Sequence, residues 1–365
     1  MILHLLFDSQ FSDYVIEQFE AEEMQSDFVL VTSTQDMKHF KRIDAVRIVN
    51  PIILSEMELL LQDISQYNSV IFHGLFYTWQ EWLLNRWPKN VKVAWVCWGG
   101  EIYGQSDIRT SFLKPLSRLA NYIYQLRHPG KDIIFPKEVI KKADFCLTSI
   151  DAEYDYVKRY LATSIQHLPY SYYSIEETLG ELQQSCIYGN NIFIGNSATI
   201  ENNHLETLLQ LKRVGIGKRK IVMPLSYGVS WVRNMCLKLG KLLFGKCFQP
   251  LIKFMPRDEY NAVMLDCSVM IQHHLREQAH GNIVTGLWLG MRVYLSEKGI
   301  DYQRFKQLGC HVYSIEKDLR RSNPNALLPL STAEIAHNRN ILLNAYGRER
   351  IQYNVQKIVE VLNTD

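Results

Sequence analysis

The chain carries almost no net charge. Its 365 residues include 40 Lys and Arg against 38 Asp and Glu, leaving +2. That balance excludes a global attraction to nucleic acid, which works through many unopposed cations. No CxxC pair occurs. The seven cysteines (97, 146, 186, 236, 247, 267 and 310) are scattered, mostly in apolar runs. This argues for reduced thiols in a cytoplasmic protein and against a disulfide framework or a zinc site. No apolar run approaches the roughly 18 residues a membrane-crossing helix needs, so no span is expected. The opening MILHLLFDSQ lacks a basic segment and reaches an acid at Asp8, so it reads as a first strand, not a signal peptide. DSQFSDY follows that strand, not the glycine fingerprint of dinucleotide-binding oxidoreductases.

What is present is an ordinary globular composition, 47% hydrophobic and 21% charged, in a chain long enough for two domains. In the first half, short apolar runs alternate with amphipathic stretches. Strands are expected at 2–7, 28–32, 46–48, 69–72, 92–97 and 145–149. Helices are expected at 11–20, 56–66, 77–86, 108–124 and 152–160. Alternation of this kind gives a mostly parallel sheet covered on both faces, with ligands beyond the carboxyl ends of the strands. Asp8, His73-Gly74 and Trp98-Gly99-Gly100-Glu101 all fall at such ends. Residues 165–190 break the pattern and read as an interdomain connection.

A second series follows. Strands are expected at 191–194, 219–223, 248–252, 269–274, 292–295 and 311–314. Helices are expected at 203–214, 230–244, 257–265, from about 281, from Ser331 and at 348–362. The expected division is an N-terminal Rossmann-like domain at 1–168, a linker at 169–190, a C-terminal Rossmann-like domain at 191–345 and a terminal helix at 346–365. The two halves are expected to face each other across a cleft.

The segment MIQHHLREQAHGNIVTGLWLGMRVYL, 270–295, concentrates the chemistry. It reads as strand, polar loop, helix and strand, and a helix start offers unpaired N–H groups to an anion. Gly281 permits close backbone approach, and Asn282 caps the helix or donates to phosphate. Arg276, Gln278 and His280 add donors just before it. His273 and His274 lie in the apolar run, one expected to point into the core and the other to border the cleft. The bland alternative is a strand-to-helix turn with surface polar residues.

Several motifs resemble the bacterial 4-alpha-L-fucosyltransferase family. They are FHG at 72–74, WGGEIY at 98–103, IGNSATIENNH at 194–204, VMPLSYG at 222–228, DEYNAVMLDC at 258–267 and the 278–295 segment. One departure is Glu101, where the family's better-known members carry Asp. The resemblance implies a GT-B fold with the nucleotide-sugar held mainly by the C-terminal domain. It also implies transfer of a sugar such as fucose or 4-acetamido-fucose from a nucleotide-diphospho-sugar to an undecaprenyl-diphosphate-linked saccharide, in surface polysaccharide synthesis. No cofactor is implied, and no DxD-like pair stands at a strand end, so no catalytic metal is expected.

On this reading the leaving diphosphate needs backbone N–H groups, a helix N-terminus and polar side chains. The expected donor-site residues are Gly195, Asn196, Ser197, Tyr227, Glu259, Arg276, Gln278, Gly281 and Asn282. Glu259 and Tyr260 open a helix after Met255-Pro256, where GT-B enzymes contact the nucleoside. If the reaction inverts, a general base is needed, with Glu101, His73 and Asp8 as candidates. Structural roles compete at each position: an Asx turn at Asn196, a turn acid at Glu101, helix capping at Glu259.

The stretch 109–131 joins Arg109, Lys114, Arg118, Arg127 and Lys131 to apolar and aromatic residues, the composition of an interfacial helix. Lys114 and Arg118 are its expected contacts with the inner membrane surface, and the protein is expected to be peripheral there. An ordinary amphipathic helix has the same composition. A GT-B enzyme with a soluble acceptor and a non-catalytic nucleotide-sugar-binding protein remain as other readings.

Overall fold

The computed structural model describes residues 1–9, 11–20, 26–34, 36–105, 108–128 and 135–364. The chain forms two compact units. One comprises 1–106, 132–174 and 348–365; the other comprises 107–131 and 175–347.

The first unit is built on seven parallel strands. They are β1 (Ile2–Leu6), β2 (Ser26–Val31), β3 (Arg47–Val49), β4 (Ser69–Phe72), β5 (Lys92–Val96), β6 (Phe145–Thr148) and β7 (Gln166–Pro169), in the order β3-β2-β1-β4-β5-β6-β7. β1 and β4 are buried on both faces, so they read as continuous apolar runs instead of alternating ones. The expected strand at 46–48 is present one residue later. β7 was not anticipated, because QHLP carries little apolar signal and sits at the sheet edge.

The second unit has six parallel strands. They are β8 (Asn191–Ile194), β9 (Ile221–Pro224), β10 (Phe248–Leu251), β11 (Cys267–Gln272), β12 (Arg292–Leu295) and β13 (Tyr313–Ser314), in the order β10-β9-β8-β11-β12-β13. Both units are therefore α/β with Rossmann-like parallel sheets.

The expected domain boundaries need three corrections. The segment 169–190 is not a free linker. β7 ends at Pro169, and from Ile175 the chain belongs to the second unit, where Ile175, Leu179 and Leu182 enter the apolar core beside Phe193 and Leu287. The terminal helix Arg348–Asn363 belongs to the first unit, burying Val355, Ile358, Val359 and Leu362 against Ile2, Leu6 and Ile16. The stretch 107–131 belongs to the second unit. Its helix Pro115–Arg127 is anchored through Ser117, whose hydroxyl donates to Glu206 Oε2 at 2.6 Å. Sequence order cannot reveal such exchanges, because they depend on which apolar face finds which sheet.

Among the described residues, no helix is long and apolar enough to cross a membrane.

Candidate functional site

Two groups of side chains stand at the carboxyl ends of the two sheets, one in each unit. The group in the second unit begins after β8. Gly195 has φ +64°, and a Cβ there would lie 2.3 Å from His204 Cε1, so only glycine fits. Asn202 holds the following turn. Its Oδ1 accepts the Asn196 N–H at 3.3 Å, and its Nδ2 donates to Ser197 Oγ at 3.0 Å and Thr199 Oγ1 at 2.9 Å. The His204 ring contacts the Ser197 carbonyl oxygen at 2.7 Å, and burial holds its pKa down at about 4. The ring is therefore neutral, and Nε2 is the nitrogen that donates.

This network aims Asn196 at a cavity of ≈ 300 Å³, which Tyr227, Phe254, Arg257, Tyr260 and Asn282 also line. The volume is at the small end of ordinary ligand sites. Asn196 Nδ2 donates to the Tyr227 hydroxyl at 3.2 Å, and Asn196 Oδ1 accepts from Gln278 Nε2 at 2.8 Å. Across the cavity Asn282 Nδ2 donates to the Tyr260 hydroxyl at 3.0 Å. Tyr227 is 57% and Phe254 89% exposed, so both rings are free to cover a planar ligand.

The helix expected from about 281 runs His280–Leu289, with Ala279 as its N-cap at φ 58° and no capping side chain. Its first internal bond is Ile283 N–H to the Ala279 carbonyl, at 3.0 Å. The N–H groups of His280, Gly281 and Asn282 thus form an open first turn, suited to an anion.

The expected donor residues divide. Asn196, Tyr227 and Asn282 line the cavity, Gln278 orients Asn196, Gly195 makes the turn after β8, and Gly281 is the second residue of the helix His280–Leu289. Three expectations change. Ser197 is 1% exposed and its hydroxyl stays inside the turn, facing Thr199 Oγ1 at 3.2 Å. Glu259 is exposed and outside the cavity lining; its neighbours Arg257 and Tyr260 face the cavity instead. Arg276 is also outside the lining and donates to the Glu277 carbonyl at 2.9 Å. His273 and His274 are both buried; His273 Nδ1 meets Thr207 Oγ1 at 3.0 Å and His274 Nδ1 the Arg276 carbonyl at 3.0 Å. Met255 lies where the nucleoside contact was expected, but sequence reasoning missed Lys253 and Phe254, which follow the edge strand β10. The one available signal was an aromatic residue beside a cation and a proline, KFMP, ahead of a helix.

In the first unit, Glu101 is 2% exposed. Its Oε1 accepts from Trp95 Nε1 at 3.0 Å, Leu75 N at 3.2 Å and Trp98 N at 3.3 Å, tying β4 to β5. Its Oε2 is buried with no partner. Burial raises the pKa to about 7, opposed by those hydrogen bonds.

His73 is 2% exposed, and both its nitrogens are engaged, Nε2 by His4 Nδ1 at 3.1 Å and Nδ1 by the Tyr172 hydroxyl at 3.2 Å. Burial drops its pKa to about 3, so the ring is neutral. Asp8 spends its carboxylate on the N–H groups of Lys38, His39 and Phe40, each at 2.9 Å. Burial alone would raise its pKa, but the three bonds hold it below the usual range. Neither His73 nor Glu101 exposes a basic atom, and Asp8 is a loop clamp.

What the strand ends do present is aromatic. Trp98 lies 5.1 Å from Phe7, 5.2 Å from Phe11 and 5.9 Å from Phe76 between ring centroids, and its Nε1 donates to the Tyr172 hydroxyl at 2.7 Å. Phe76 and Tyr77 are 38% and 42% exposed.

The helix Pro115–Arg127 also departs from expectation. Lys114 is 18% exposed and ion-paired to Glu316 Oε1 at 2.6 Å, and Arg118 donates to the Leu113 carbonyl at 3.1 Å. Lys114 is therefore a structural cation. The exposed face is apolar: Leu116, Leu119, Tyr122, Ile123 and Leu126. Lys131 lies outside the described residues.

Residues 6–323 match the model of the family described as 4-alpha-L-fucosyltransferase, glycosyl transferase group 56. No curated protein matches the chain. Among solved structures, the chain is similar to the trehalose-6-phosphate phosphatase N-terminal domain of Candida albicans, with TM-score 0.63, 11% identity, and 99% of this chain and 96% of that one covered. It is similar to an alpha,alpha-trehalose-phosphate synthase (UDP-forming) from Burkholderia xenovorans, with TM-score 0.59, 8% identity and 100% of both chains covered. A lipopolysaccharide outer core galactosyltransferase in its apo form gives TM-score 0.63 and 9% identity, with 99% of each chain covered. At such identities the likeness is one of fold.

Proposed function

The chain belongs to the 4-alpha-L-fucosyltransferase family and is a glycosyltransferase of GT-B type; from that premise we propose that it moves a deoxy or acetamido-deoxy sugar from a nucleotide-diphospho-sugar to a saccharide carried on undecaprenyl diphosphate. The observation that carries the donor half is the cavity of ≈ 300 Å³ beside the open first turn of His280–Leu289. The nucleoside packs between Tyr227 and Phe254, with Tyr260 and Asn282 on the far wall. The diphosphate meets the N–H groups of His280, Gly281 and Asn282, and Lys253 and Arg257 add positive charge. As the glycosidic bond breaks, negative charge grows on the diphosphate, and donors already in place stabilise it without reorganisation.

The aromatic rim of the first unit serves the acceptor sugar, whose apolar faces pack on rings such as Trp98 and Phe76. Glu101, His73 and Asp8 shape that rim and do not transfer the proton, because their basic atoms are engaged or buried. A panel of nucleotide sugars scored by thermal stabilisation tests the donor half. A deoxy or acetamido-deoxy sugar nucleotide at about 100 times its Kd should add about 2.7 kcal/mol of stability. A panel in which only other sugars stabilise the chain would overturn the choice of sugar.

A lipid-linked acceptor keeps its chain in the bilayer, so the enzyme must rest on the inner leaflet. The exposed apolar stripe Leu116, Leu119, Tyr122, Ile123 and Leu126, flanked by exposed Arg118 and Arg127, suits an interfacial helix. Replacing Leu119, Tyr122 and Leu126 together by Gln should release the protein from anionic liposomes. Each buried apolar side chain is worth roughly 1.5 kcal/mol or more. The change should leave the fold intact, because all three side chains face water. Co-sedimentation at low and high salt reads this directly. Wild-type protein that stays in the supernatant at low salt would favour a soluble acceptor.

A further inference from the structure

Glu277, His280 and Asp301 converge behind the donor loop. One potential ligand atom from each lies within 4.8 Å of the other two. Asp301 is 2% exposed, at the second position of the helix Ile300–Gln307. His274 Nδ1 comes within 3.2 Å of Asp301 Oδ2, yet it also lies 3.0 Å from the Arg276 carbonyl oxygen, the only acceptor its N–H reaches with good geometry. Neither oxygen of Asp301 accepts a hydrogen bond, and His280 Nδ1 is likewise buried without a partner. A buried carboxylate left unsatisfied is costly, and in a folded protein it is ordinarily paired or bound to a metal.

We infer that Glu277, His280 and Asp301 form a binding site for one divalent transition-metal ion, Mn²⁺ or Zn²⁺. One imidazole nitrogen and two carboxylates match the donor preference of such ions. Arg276 and Arg304 act electrostatically on the same cluster, so diffuse attraction is weak and direct coordination must hold the ion. That disfavours Mg²⁺, which keeps much of its water. The ion joins three places in the chain: the loop before the donor helix, the first residue of that helix and the start of the next helix. It would thereby fix the loop that presents Gln278 and Asn282. The site does not depend on which sugar or acceptor the enzyme uses.

The test uses the full chain, stripped with chelator and titrated with Mn²⁺ while the free-ion paramagnetic resonance signal is followed, with no nucleotide present. About one ion per chain should bind. Asp301→Asn and His280→Gln should each weaken binding at least roughly tenfold, as expected for loss of a ligand or of a group that tunes one. Glu297→Gln, outside the cluster, should bind as wild type. Circular dichroism confirms that each variant is folded. As a measurement independent of any variant, Zn²⁺ should raise the wild-type midpoint and chelator should reverse the rise. No loss of the free Mn²⁺ signal at large excess, or wild-type affinity in both cluster variants, would overturn the inference.

Discussion

Replacing Glu101 by Ala should cost about 3–5 kcal/mol of stability, because two buried donors and one half-buried donor lose their acceptor at once and each orphan costs roughly 1–3 kcal/mol. The donors are Trp95 Nε1 and the N–H groups of Leu75 and Trp98, all converging on Oε1. Glu101→Gln keeps an oxygen for all three. The two variants should therefore differ sharply in chemical denaturation at pH 5, with Gln near wild type.

Both variants should differ from wild type in pH dependence, because neither keeps the titrating carboxyl. The carboxyl titrates at about 7 in the folded chain against an ordinary 4.5. A raised carboxyl pKa means that the folded state holds the proton longer than the unfolded one. Its contribution is full below pH 4.5, falls between 4.5 and about 7, and is gone above. The loss is on the order of 3 kcal/mol. Glu101→Gln should flatten that part of the stability profile. Turnover of the Gln variant should stay within about tenfold of wild type if Glu101 acts by position. A fall of about 10²–10⁴ with the fold intact would return it to the role of general base.

Asn282→Ala and Asn196→Ala should each weaken nucleoside-diphosphate binding by about 1.5–3 kcal/mol, roughly 10- to 150-fold in Kd, as expected for hydrogen bonds to charged groups. The geometry separates the two. Asn282 makes one side-chain bond, to the Tyr260 hydroxyl, so its loss should hardly touch stability. Asn196 links Tyr227 to Gln278, whose Oε1 already lacks a partner. Its removal loosens the polar wall and should cost about 1 kcal/mol of folding stability as well. Because both side chains serve one cavity, the double variant should fall short of the sum. Calorimetry that finds wild-type affinity in both single variants would remove the cavity as the donor site.

These expectations mark how far the residues alone lead. Apolar runs at 69–72 and 191–194 became strands with those bounds, since a strand buried on both faces carries its own signal. Gly195 and Asn282 were legible because a strand-to-helix turn that approaches a ligand demands particular backbone and capping chemistry. The family resemblance added the activity. The edge strand β7 was not legible, because QHLP carries little apolar signal, whereas the edge strands β3, β10 and β13 showed theirs.

Tertiary structure alone decided three matters. It assigned 107–131 to the second unit and the terminal helix to the first, since apolar faces pair by shape, not by chain order. It turned Lys114 from a membrane cation into the partner of Glu316, two hundred residues away in sequence. It also showed that Glu101, placed by two glycines as though to reach out, is turned inward. The indole and two backbone amides around it have no other acceptor, and a buried donor without one costs more than the reach would gain.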